Sequence, residues 1–118
     1  MRAILVSAIL IGAISCGSDS TTTPGSHSKT VDISAAGVTF LPTLADAAVH
    51  DTVRWTFSVN PVDNLGHNVL FQPKIAGAPT DITLEVRSGT VSRVFDTAGE
   101  FNYVCSLHGS MVGRVTVQ

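Results

Sequence analysis

Asp51-Thr-Val-Arg-Trp-Thr-Phe-Ser-Val59 alternates without a break. Val53, Trp55, Phe57 and Val59 fall on one face; Thr52, Arg54, Thr56 and Ser58 fall on the other. A period of two belongs to an extended strand with one face buried and the other in water. Asn60-Pro61 ends it, since proline has no N–H to give a ladder.

The same texture runs in both directions from this strand. Upstream, Lys29 to Ser34 alternates, and Gly37-Val-Thr-Phe-Leu41 stops at Pro42. Downstream, His67-Asn-Val-Leu-Phe71 is a short apolar run. Ile82, Leu84 and Val86 alternate against Thr83, Glu85 and Arg87, and Ser88-Gly89 turns the chain. Thr90 to Phe95 forms another strand, Asp96 to Gly99 a turn, and Glu100 to Cys105 and Val112 to Val117 the last two strands. No window shows a sustained helical period; Ala45 to Val49 has room for one helical turn. About eight short strands with turn signals between them predict an all-β antiparallel sandwich or barrel. The absence of an internal repeat excludes a propeller or solenoid.

Composition narrows the function. The 118 residues hold one domain, and 7 Lys+Arg against 9 Asp+Glu give a formal charge of −2. A nucleic-acid binder would need a basic face to meet phosphates. With 44% hydrophobic and 14% charged residues, the chain is not a solvated, disordered one. Two cysteines make no disulfide scaffold.

Residues 1–15 read as a targeting segment. Arg2 precedes an apolar run from Ala3 to Ile14, interrupted only by Ser7 and Gly12. This is shorter than the roughly 20 residues that cross a bilayer as a helix, and it suits a secretory signal. The run ends in Gly12-Ala13-Ile14-Ser15-Cys16, which resembles a bacterial lipoprotein signal. That resemblance implies lipidation of Cys16 and an exported protein on the periplasmic side of a bacterial membrane; the alternative is an ordinary cleaved secretory signal with an incidental cysteine. Residues 16–28 are rich in Ser and Thr, carry Pro24 and Gly25, and read as a flexible tether. His27 lies within it as a bystander. Residues 29–118 are then the folded domain.

The chemistry gathers near the end of the chain. Cys105-Ser-Leu-His108-Gly-Ser-Met111 places a thiol, an imidazole and a thioether on the loop between the last two strands. His67 opens an earlier strand in Gly66-His67-Asn68-Val69. Two imidazoles, a thiolate and a thioether are the donor set of a blue-copper site. A bland reading stands beside this one: Cys105 as a small buried hydrophobe, His67 and His108 as polar loop residues, Met111 as core filler. A zinc site is a further alternative, disfavoured because zinc takes Cys, His and carboxylate ligands. A Cys105–Cys16 disulfide would require the tether to fold back.

The motifs resemble those of the cupredoxins of the plastocyanin and amicyanin type. The resemblance runs from about Val31 to Gln118 and rests on Asp51-Thr-Val-Arg-Trp55, Gly66-His-Asn-Val69, Gly99 to Met111 and Gly113-Arg-Val-Thr-Val117. It implies a Greek-key antiparallel β-sandwich and one type 1 copper. His67, Cys105 and His108 would be equatorial ligands and Met111 the axial one. Asn68 would pin the two ligand loops together, with Ser106 as its partner. Leu107 stands where many members carry a proline. The second histidine, His108, would be the electron exit, in a docking patch with Leu107, Gly109, Leu65 and Gly66. Phe101 and Tyr103 share a face with Cys105 and should line the core beneath the metal.

These features point to a small exported carrier of single electrons rather than an enzyme. Its partners would be redox proteins such as c-type cytochromes or copper oxidases and reductases, met as a monomer held to the membrane by a lipid anchor. Two other readings remain: a periplasmic copper-binding or delivery module, and a metal-free sandwich used for adhesion. A delivery site favours open Met- or His-rich clusters, and this chain has only Met1 and Met111 as methionines.

Overall fold

The computed structural model describes residues 28–118. The expected signal, the expected lipidation site Cys16 and nearly all of the expected tether lie outside the described residues. Nine strands follow in order: β1 (Thr30–Ala36), β2 (Thr39–Leu41), β3 (Leu44–Ala47), β4 (Thr52–Ser58), β5 (His67–Phe71), β6 (Ile82–Val86), β7 (Ser88–Val94), β8 (Gly99–Val104) and β9 (Val112–Val117). They build a four-stranded sheet ordered β2-β1-β4-β7 and a five-stranded sheet ordered β3-β9-β8-β5-β6. The expected all-β sandwich is therefore present.

Pairing within the sheets is mixed rather than wholly antiparallel. β1 runs parallel to β4, with Ile33 opposite Trp55, and β3 runs parallel to β9, with Ala45 opposite Val115. The cause is connectivity. After the β1–β2 hairpin the chain crosses to the other sheet as β3, then returns beside β1 as β4, so that β1 and β4 point the same way.

β3 corrects the single helical turn expected near Ala45. Leu44 and Asp46 are exposed while Ala45 and Ala47 are buried, a period of two that lets four residues complete the free edge of β9. The Ser88-Gly89 turn is also corrected: both residues belong to β7, opposite Ser58 and Phe57, and the chain changes sheets around Arg87. In β6 only Ile82 is buried, and Leu84 is 79% exposed. The register between β5 and β6 shifts between His67 and Val69, so the alternation of β6 does not translate into an inner face.

The core lies between the sheets. Val53, Trp55 and Phe57 of β4 face Val69 and Phe71 of β5, Phe101 and Tyr103 of β8, and Val115 and Val117 of β9, all buried. Trp55 stands edge-on to Tyr103 (5.6 Å) and Phe71 (6.4 Å), and Phe95 to Phe101 (5.2 Å). Such T-shaped pairs add about 0.5–1.5 kcal/mol each beyond area burial. The inner face of β8 continues directly into Cys105, 1% exposed, so the aromatic cluster forms the floor on which the site stands.

Candidate metal centre

Three elements deliver the donors. His67 begins β5, next to β8 in the same sheet. Cys105 follows the last residue of β8, and His108 and Met111 lie in the turn before β9. That turn is closed by the Cys105 N–H donating to the Met111 carbonyl at 2.9 Å and the Met111 N–H donating to the His108 carbonyl at 2.9 Å. All four side chains are buried: His67 0%, Cys105 1%, Met111 1% and His108 7% exposed.

One ligand atom from each of His67, Cys105 and His108 lies within 4.8 Å of the others. Cys105 Sγ is 4.0 Å from His67 Nδ1 and 3.6 Å from His108 Nδ1. Donors bound at about 2.0–2.3 Å to one transition-metal ion stand up to about 4 Å apart, so both sulfur–nitrogen distances fit a single ion. The imidazoles approach to 4.8 Å between ring centroids at 45°. Burial holds the pKa of His67 below its ordinary value, and repulsion from His108 adds to the effect. The shift favours the neutral ring, the state in which an imidazole nitrogen can ligate.

Asn68 ties the two donor segments together. Its Nδ2 donates to Ser106 Oγ at 2.8 Å, and its Oδ1 accepts the Ser106 N–H at 2.8 Å. The segment carrying His67 is thereby fastened to the loop carrying Cys105.

The surroundings of His108 depart from expectation. The ring is not an open edge at the surface: its Nε2 lies 2.9 Å from Asp63 Oδ2 and 3.5 Å from Asn60 Nδ2. Gly66, expected on the docking patch, is buried. Its N–H donates to Glu85 Oε1 at 2.6 Å, and a Cβ there would overlap the Val86 carbonyl. Leu107 (37%), Leu65 (36%) and Gly109 remain exposed. Asp63 escaped the sequence reading, and Asn60 entered it only as the end of a strand. The only trace of their role there is a polar turn a few residues before His67, an ordinary signal for a strand connection.

The sequence profile of copper-binding proteins of the plastocyanin/azurin family matches residues 27–118. No curated protein sequence matches the chain significantly. Among solved structures, the reduced state of an amicyanin mutant is 27% identical, with a TM-score of 0.60 over 75% of this chain and 82% of that one. A Cu(I) amicyanin mutant is 26% identical, with a TM-score of 0.61 and the same coverage. A copper-containing nitrite reductase from Thermus scotoductus SA-01, 18% identical, matches with a TM-score of 0.63 over 99% of this chain and 25% of that one, a likeness of fold alone. His67, Cys105, His108 and Met111 supply the soft-sulfur and imidazole donors that fit one type 1 copper. With its profile match, its sandwich and this buried donor set, the chain belongs to the plastocyanin/azurin family of copper-binding proteins.

Proposed function

We propose that the protein carries single electrons between exported redox proteins. The observation that carries this reading is the preassembled donor set, with two imidazole nitrogens 4.0 and 3.6 Å from a buried thiol sulfur. Copper, when bound, supplies the Cu(II)/Cu(I) couple. His67, Cys105 and His108 would hold it equatorially and Met111 axially. The residues around the donors resist motion: the Asn68–Ser106 pair ties the segments, the turn is closed on itself, and the aromatic core supports Cys105 from below. A cage that keeps its shape in both oxidation states lowers the cost of gaining or losing an electron. Burial excludes water from the thiolate and argues against a site built to release its metal.

We read the protein as a carrier rather than an enzyme. Of the two histidines outside the site, His27 lies in the tether, and His50 pairs with Asp96 on the surface at 3.0 Å. Leu107 and Gly109, exposed on either side of His108, are the surface through which a c-type cytochrome or a copper oxidase or reductase would approach. The leader of residues 1–15, ending just before Cys16, would place the carrier, as a monomer, at the periplasmic side of a membrane by a lipid anchor.

Titration of the purified protein with Cu(II), followed by visible absorption and EPR, tests the reading. The expected result is an intense thiolate-to-copper band with narrow hyperfine splitting at one copper per chain, lost in Cys105→Ser. A colourless protein, or the weak spectrum of tetragonal copper, would overturn it. Normal blue copper without electron exchange with any cytochrome would favour a copper-handling module.

A further inference from the structure

The two imidazoles of the centre are not equivalent. His67 Nε2 is buried without a side-chain partner, and apart from Cys105 the ring has only the Ser58 backbone beside it as a hydrogen-bonding contact. His108 Nε2 meets the Asp63 carboxylate at 2.9 Å, with the histidine side chain 5% and the aspartate 37% exposed. Asp63 is itself held in place. Its Oδ1 accepts the Leu65 N–H at 2.9 Å. The Asn60 N–H donates to the Leu65 carbonyl, and the Asn64 N–H to the Asn60 carbonyl, both at 2.8 Å. Asn60 Oδ1 accepts the Val62 N–H at 3.1 Å. Residues 60–65 therefore form a closed loop that aims one carboxylate at one ring nitrogen.

The chemistry of the contact is one-sided. A carboxylate only accepts hydrogen bonds, so Nε2 carries the hydrogen and donates it; Asn60 Nδ2, 3.5 Å from Nε2, is likewise a donor and gives its hydrogen to the same carboxylate. Nδ1 is left with its lone pair, and Nδ1 is the nitrogen 3.6 Å from Cys105 Sγ. A carboxylate behind a ligating histidine sets its tautomer and ring orientation and makes it a stronger donor. A stronger donor, and a negative charge nearby, favour the more highly charged metal.

We propose that Asp63 is a positioning residue of the copper centre, which fixes the tautomer and orientation of His108 and lowers the reduction potential by favouring Cu(II) over Cu(I). The inference rests on the copper-centre reading, and it makes the electron exit a carboxylate-backed imidazole in place of a bare one.

Three variants separate the contributions. Asp63→Ala removes both acceptor and charge. Asp63→Asn keeps an acceptor oxygen and removes the charge. Glu100→Gln removes an equal charge near the far end of β8, about 16 Å from Cys105 along the strand. In the metal-free protein, nitrogen NMR of the histidine rings should show His108 as a single tautomer protonated at Nε2. Asp63→Ala should mix the tautomers, and Asp63→Asn should largely restore the single one. In the copper protein, Asp63→Ala should raise the Cu(I)/Cu(II) ratio at fixed ambient potential about tenfold, equivalent to 59 mV for one electron. Asp63→Asn should shift it in the same direction by less, and Glu100→Gln should leave it in place. An unchanged His108 ring in metal-free Asp63→Ala would overturn the proposal. So would a shift under about twofold, or an equal shift in Glu100→Gln. If the wild type takes no blue copper, the proposed function fails on its own, and the metal-free spectra still decide whether Asp63 holds the ring.

Discussion

Replacing Asn68 with alanine should lower the melting temperature sharply and loosen the metal centre. The residue is 4% exposed. It makes two bonds of 2.8 Å to Ser106 and a weaker one of 3.4 Å to the Thr83 carbonyl. At about 0.5–1.5 kcal/mol per bond, with the Ser106 N–H left without its partner, the loss comes to about 2–3 kcal/mol. A domain of this size moves about 4–8 °C per kcal/mol, so the melting temperature should fall by roughly 8–24 °C. Ser106→Ala forfeits only the hydroxyl contact and keeps its amide bonded to Asn68 Oδ1; it should cost about 1 kcal/mol, or 4–8 °C. Circular dichroism melts of the metal-free proteins measure both. In the Asn68→Ala background, Ser106→Ala should add little, because the hydroxyl has already lost its partner. Equal melting temperatures for the two single variants, or full additivity in the double variant, would refute the claim that Asn68 is the tie between the two donor segments.

Other consequences can be checked in parallel. Gly113→Ala would drive a Cβ into the ring carbons and hydroxyl of Tyr103, which is fully buried; urea unfolding should show a loss of about 1–3 kcal/mol from overpacking. Gly66→Ala meets the Val86 backbone, which cannot yield as a side chain can. It should displace the start of β5 and with it His67, visible as an altered copper spectrum even where the protein stays folded. The backbone N–H groups of Ala48 and Lys29 hold the Asp51 carboxyl below its ordinary pKa. A depressed pKa stabilises the fold fully above the unfolded value and ceases to do so as pH falls through the folded value. The stability gap between wild type and Asp51→Asn should therefore be constant from pH 8 to 5 and narrow below about pH 4, as read by denaturant melts at each pH.

What could be read in the amino acids was local. The alternation of residues 51–59 became β4, with Val53, Trp55 and Phe57 inside, because a half-buried strand writes its own period into the chain. The donors were legible for a different reason: thiol, imidazole and thioether at close spacing form a combination that few structural roles require. Pairing direction was not legible. Whether β1 lies parallel to β4 depends on where the intervening strands go, and β3 is too short and too rich in alanine to declare itself. Asp63 was hidden because a surface aspartate in a turn has an ordinary job there; its reach to His108, 45 residues onward, exists only once the loop folds back over the site. The Gly113–Tyr103 approach was hidden likewise, since a glycine in a strand does not name the side chain that occupies its missing Cβ.

Three of the four candidate donors sit within one turn between adjacent strands, while His67 comes from 38 residues earlier in the chain. A β8–β9 hairpin formed alone would offer a sulfur-rich, incomplete grip on a metal. The second imidazole arrives only when β5 docks beside β8, the kind of distant contact that is made late and at an entropic cost. Blue colour, once copper is supplied, would therefore appear after long-range closure of the sandwich and not with its first hairpin. The site would act as its own folding reporter, distinguishing a finished molecule from a partly assembled one by eye.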